Sequence, residues 1–324
     1  MRKILALTLC LLMVISTVLV GCGQADATVK FGAGVYVSAP TTADATADKN
    51  GSGKVDVTAA AVTVDADGKI AACALDTASN TVSFTADGKA VANSEFQTKY
   101  EAGAGYNMVA YGGAAKEWFE QADAFEALIV GKTLDEVKAL VADANKGTEE
   151  VINAGCTIMI HEFVGAIEKA YNAATVEVDA KAALKVNMAT EQTLADATEE
   201  KDGSNKIAIN VFAAAVGADG KIAAASSDCV EVTFTFTAAG VSTLDTAKAI
   251  ASKKEQGANY GMVAYGGAAK EWFEQAAAFD AACVGKTTQE IAGLQAEDGH
   301  GIAELQSAGC TIYVTGFVKA ASKS

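Results

Sequence analysis

The chain has 324 residues, 51% of them hydrophobic, and a formal net charge of −15 at pH 7. Arg2 is its only arginine. This balance excludes nucleic acid as a partner, because affinity for a phosphate backbone comes from basic side chains. On an exported surface the same acidity aids solubility.

The first element in chain order is a leader. Arg2 and Lys3 precede an apolar run from Ile4 to Val20, which ends in "LVGC", Leu19 to Cys22. A charged start, an apolar stretch and small residues at the cut predict a secretory signal. With a cysteine directly after Gly21, the segment resembles a bacterial lipoprotein signal. That resemblance implies removal of residues 1–21, lipidation of the Cys22 thiol and a lipid-bearing N-terminus over 22–29. Two acyl chains hold a protein stably on a membrane. The expected location is therefore the extracytoplasmic face of the cell membrane, lipid-anchored.

The rest of the chain is written twice. "MVAYGGAAKEWFEQA" occurs at Met108–Ala122 and again, unchanged, at Met262–Ala276. "ADGKIAA" recurs at 66–72 and 218–224, and "VGKT" at 130–133 and 284–287. Repeats of this length suit whole domains rather than solenoid units. They divide the chain into a first domain at 30–172, a short link at 173–182 and a second domain at 183–324.

Each copy follows one plan. "KVDVTAAAVTVDADGKIAACALD" (54–76) predicts a hairpin turning at Asp67-Gly68, and a second turn follows at Asp87-Gly88. In 114–130, Trp118, Ala122, Phe125 and Ile129 fall on one helix face. Thr133 and Glu136, repeated as Thr287 and Glu290, form a capping-box signature. Phe163, Ile167 and Tyr171 predict a last helix. Strands first and helices after give an α+β class, a tandem duplication of a sheet-plus-helices domain.

Several chemistries are excluded. Past Cys22 there are five cysteines, an odd number with Cys73 and Cys229 out of register, so no disulfide framework is expected. His161 and His300 stand at unmatched positions, so no repeated metal site and no repeated Cys–His nucleophile is expected. "VGKT" lacks the glycine of a phosphate loop, since Glu126 and Asp280 hold that place.

Two features remain. Gly112-Gly113 and Gly266-Gly267 lack Cβ atoms, so the backbone there can approach a packed strand or a ligand closely. "AGCT" at 154–157 and 308–311 puts Thr157 and Thr311 after a glycine and, by this reading, just before a helix. There they serve as an N-cap, or lie beside a phosphate at the freed N–H groups.

Ala-Gly-Cys-Thr followed by an apolar stretch resembles the attachment motif of the FMN-binding domain family, usually Ser/Thr-Gly-Ala-Ser/Thr. Here Ala154 and Ala308 stand at its first position, and Cys156 and Cys310 at its third. The order "DGKIAA", "EWFEQA", "VGKT" and "AGCT", behind a lipoprotein signal, resembles the two-domain FMN-bearing lipoproteins of Gram-positive bacteria used in extracellular electron transfer. That resemblance implies up to two covalent FMN groups, phosphoester-linked to Thr157 and Thr311 by a flavin transferase using FAD. It further implies Gly155, Gly309, Cys156 and Cys310 beside the cofactor; the paired glycines Gly112, Gly113, Gly266 and Gly267 are candidate contacts to it by their close backbone approach. A membrane electron donor, an external acceptor or reductase, and a carrier rather than an enzyme complete the expectation. The competing reading is a non-redox, lipid-anchored module that binds a solute or a protein.

Overall fold

The computed structural model describes residues 27–323; the leader and Cys22 lie outside them. The first half runs β1 (Thr28–Val37), β2 (Thr41–Ala43), β3 (Gly51–Val64), β4 (Ile70–Phe84), β5 (Ala90–Val91), α1 (Lys99–Ala102), α2 (Trp118–Ile129), α3 (Leu134–Lys138), α4 (Glu149–Ala154) and α5 (His161–Asn172). After β6 (Val176–Asp179) the second half runs β7 (Ala183–Ala195), β8 (Gly203–Val216), β9 (Ile222–Phe236), α6 (Lys253–Gln256), α7 (Trp272–Cys283), α8 (Thr288–Ile291), α9 (Ala303–Ser307) and α10 (Thr315–Ala321). Strands precede helices in both halves, an α+β arrangement.

One sheet has the order β5-β4-β3-β1-β6, with β2 also on β3; the other is β7-β8-β9. All pairings are antiparallel. The β3–β4 turn falls at Asp67-Gly68: Gly68 has φ +75°, and Asp65 Oδ1 accepts from the N–H groups of Asp67 and Lys69. The stretch 173–182, read as a link, contains β6, which extends the first sheet by pairing with β1, Thr28 opposite Asp179.

Alternation along the strands makes four layers. Ala60, Val62 and Val64 of β3 face Trp118, Phe125, Ile129, Phe163 and Ile167 of the helices. Val55, Val57 and Ala59 point the other way and meet Ile207, Ile209, Val230 and Phe234 of the second sheet. Helices cover the far side of that sheet in turn. Both faces of β3 and β8 are therefore buried, and each large apolar side chain enclosed this way contributes about 1.5–3 kcal/mol.

The halves meet as if they were two subunits about a twofold axis, where residue i touches j and j touches i. Phe84 and Phe236, the last residues of β4 and β9, stack with centroids 4.5 Å apart and planes at 5°. Lys323 pairs with Glu101 at 2.8 Å, and its counterpart Lys169 pairs with Glu255. Glu101 and Glu255 close the capping boxes of α1 and α6. The end of each half thus clamps the first helical turn of the other.

Candidate functional site

The repeated tetrapeptide ends a helix. It does not begin one. Gly155 has φ +104° and donates its N–H to Ile152 O, while Cys156 N–H reaches back to Val151 O. Gly309, at φ +101°, and Cys310 repeat both bonds to Gln306 O and Leu305 O. This is the Schellman pattern, whose positive φ favours glycine. It also calls for an apolar contact between the residue after the glycine and the helix, which accounts for the cysteine. Cys156 and Val151, like Cys310 and Leu305, are buried in one cluster. Burial pushes both thiols up to about 11. They are neutral packing groups that face the core.

The next helices start at His161 and Thr315, with Ile160 and Val314 as N-caps and no side-chain cap bond. Thr157 and Thr311 are therefore not N-caps, nor do they sit at the freed N–H groups of a helix, as the sequence reading expected. The glycine closes the helix before it rather than opening the one after it.

A different residue holds each threonine. Gln121 Oε1 accepts both the N–H of Thr157 (2.8 Å) and its hydroxyl (3.0 Å); Gln275 Oε1 does the same for Thr311 (2.8 and 2.9 Å). Each glutamine is 1% exposed and ties its amide nitrogen to Lys116 O or Lys270 O, both at 3.0 Å. The threonines themselves are exposed. The ammonium groups of Lys116 and Lys270 lie over the glycines, 2.4 and 2.2 Å from where a Cβ would stand. Each half thus presents a fixed, exposed threonine with a cation over the glycine two residues before it.

In the second half this hydroxyl stands at a cavity of about 540 Å³, lined among others by Thr311, Lys253, Tyr260, Trp272, His300 and Tyr313. Small-molecule sites span roughly 300–1,000 Å³. Lys253 lies over the rings of Tyr260 (4.9 Å) and Trp272 (5.5 Å) and pairs with Glu231 at 3.1 Å. Burial works against the charge of Glu231, but Lys253 and Lys206 hold its carboxyl below the ordinary value. His300 and Tyr313 pack with centroids 4.0 Å apart at the rim. Cys229 also lines the cavity, its thiol pushed up to about 12 by burial.

The first half repeats the frame. Lys99 lies over Tyr106 (5.5 Å) and Trp118 (5.6 Å). Inside the frame it differs: Thr58 Oγ1 donates to Glu162 Oε2 at 3.5 Å, where the second half has Asn210 and Gly316.

The paired glycines are not part of this lining. Gly113 and Gly267 both have φ +67°, and a Cβ on Gly112 or Gly266 would meet Met108 O at 2.6 Å or Met262 O at 2.8 Å. The turn itself requires them, and Glu117 and Glu271 hold it by accepting the N–H groups of Met108 and Met262. Gln121 and Gln275 are the site residues that sequence reasoning missed. The signal was available: both occupy the apolar face of their helix, three residues after a core tryptophan.

The chain matches no protein-family model, no curated protein and no solved structure.

Proposed function

We propose that the protein is a lipid-anchored electron carrier that bears FMN by a phosphoester on Thr157 and Thr311. The observation that carries this reading is Thr311. Its hydroxyl is fixed by Gln275, with Lys270 over the nearby Gly309, at a cavity with aromatic lining large enough for a ring system. FMN, when bound, supplies one- and two-electron redox chemistry.

The residues present fit such a group. Lys270 lies where it would offset phosphate charge at Thr311, and Lys116 would do so at Thr157. Tyr313 offers an exposed face to a planar ring, and Tyr260 and Trp272 line the cavity beneath Lys253, which offers a donor. Gln275 orients the hydroxyl for modification by accepting its hydrogen. In that modification the threonine Oγ bonds to the FMN phosphorus of FAD. The pyrophosphate bond breaks, AMP leaves, and the hydroxyl proton passes to a base of the transferase. A covalent tether keeps the cofactor at high effective concentration outside the cell, where a dissociated one is lost. Electrons would come from a membrane donor and pass to an external acceptor or reductase. Among the described residues no helix is long and apolar enough to cross a membrane. The attachment we propose is the lipid on Cys22.

Intact-mass measurement after co-expression with a flavin transferase tests the reading. Additions of one or two FMN units are expected, with Thr157→Ala and Thr311→Ala each removing one. A chain that stays unshifted beside an active transferase sinks the covalent link. In that case the non-redox binding module takes its place.

A further inference from the structure

Resting on the proposal that Thr157 and Thr311 are flavin anchors, we infer that the two anchors hold the ring differently: the second half encloses a planar heteroaromatic ring in its cavity, and the first half leaves it on the surface. The strand registers decide which residues correspond. Gly51 opposes Phe84 as Gly203 opposes Phe236, so Asp56 and Thr58 stand where Ala208 and Asn210 stand in the second half. The identical spacing after "AGCT" makes Glu162 the counterpart of Gly316. Ala208, Asn210 and Gly316 all line the second-half cavity.

The first half therefore puts two carboxylates and a hydroxyl where the second has a methyl, an amide and no side chain. Glu162 turns inward: it accepts from Thr58, which is fully buried, and lies in the electrostatic field of both Asp56 and Lys99. Burial first, and then Asp56, push its carboxyl above the usual range, with Lys99 working against them. In the second half Lys253, the counterpart of Lys99, faces cavity space and meets a carboxylate only on the strand, at Glu231. The anchoring glutamine, threonine and lysine are the same in both halves, so attachment and ring enclosure are separable. Bringing a ring into the first half displaces Glu162 from its partners or buries it unpaired. Burying that carboxylate without a partner is expected to weaken binding roughly a hundredfold or more.

The test titrates riboflavin, which has no phosphate, into the mature chain made without a transferase. Flavin fluorescence quenching and stoichiometry are read together. One riboflavin per chain is expected, quenched against Trp272 and less so in Trp272→Phe. The exchange Ala208→Asp with Asn210→Thr and Gly316→Glu abolishes that binding. The reverse exchange, Asp56→Ala with Thr58→Asn and Glu162→Gly, raises the stoichiometry to two. Should one set of changes fail to fold by its melting curve, the other still decides. Two equal sites in the wild type, no riboflavin bound at all, or an unchanged stoichiometry in a folded exchange variant overturns the inference. Failure of the phosphoester reading shows separately, as missing mass on Thr157 and Thr311. In transferase-loaded protein the ring on Thr311 alone (Thr157→Ala) is quenched, and the ring on Thr157 alone (Thr311→Ala) is bright. Equal fluorescence of the two also overturns it.

Discussion

In the first half Tyr100 donates its N–H to Asp76 (3.2 Å) and its hydroxyl to Asp123 (2.9 Å). At the same place in the second half Lys254 donates its N–H to Asp228 (3.1 Å), and its ammonium lies 4.0 Å from Asp280. The backbone geometry is shared, while the charge is not. One half sets a buried Asp76 and a half-buried Glu126 together without a cation; the other supplies a lysine. At this place divergence after duplication has changed the side chains and kept the backbone bonds. Where backbone conformation fixes the residue, as at Gly155 and Gly309 or at the capping boxes, the two copies agree.

The largest expected effect follows from that acidic pair. Burial pushes Glu126 up to about 8, with Asp123 and Asp76 adding to it and the Leu75 N–H opposing. Burial likewise pushes Asp76 up to about 7, against hydrogen bonds from Thr98, Thr77 and Tyr100. Both folded-state values lie above the unfolded ones, so between them the folded chain binds more protons, and stability falls as pH rises. The melting temperature should decline between about pH 4 and about pH 8. Glu126→Gln should flatten the decline, and Tyr100→Lys, which copies the second half, should flatten it too. Lys254→Tyr should steepen it. A Glu126→Gln curve parallel to the wild type would break the comparison.

The next effect should be equal in the two halves. Gln121→Leu and Gln275→Leu each leave a threonine N–H and a lysine carbonyl without their partner. The expected cost is about 1–2 kcal/mol apiece, measured by denaturant unfolding. A clear difference between the two variants would show that the anchoring frame is not shared after all.

Much of this frame was legible in the sequence, for a physical reason. Asp-Gly turns, capping boxes and the spacing of Trp118, Ala122, Phe125 and Ile129 depend on residues a few positions apart, and the structure forms each of them. The strands β1 and β7 carry no such local signal. Nor does the face-to-face packing of the two sheets, because inter-sheet contacts such as Val57 with Ile209 leave no local period. A strand buried on both faces loses the alternation that identifies it. The threonine site was found by its repetition, but its setting was misjudged. A glycine before a helix and a glycine after one look alike until the short helix α4 is recognised. Gln121 and Gln275 stand out locally as polar residues on an apolar face, but the sequence does not name their partners, which lie 36 residues away.

The smallest effect refines the symmetry between the halves. Lys323–Glu101 and Lys169–Glu255 are reciprocal pairs with about a third of each side chain exposed. Such pairs contribute about 0.2–1 kcal/mol. Lys169 does one thing more: its ammonium donates to Val35 O at 2.8 Å and lies 5.7 Å from the centre of the Tyr36 ring. Lys169→Ala should therefore destabilise the fold more than Lys323→Ala. The excess should survive in a double-mutant cycle with Glu255→Ala, because it belongs to β1 and not to the ion pair. The coupling energy of the pairs themselves should be the same in both cycles. Unequal coupling would mean that the clamp across the twofold axis, and not only the interior, has diverged between the halves.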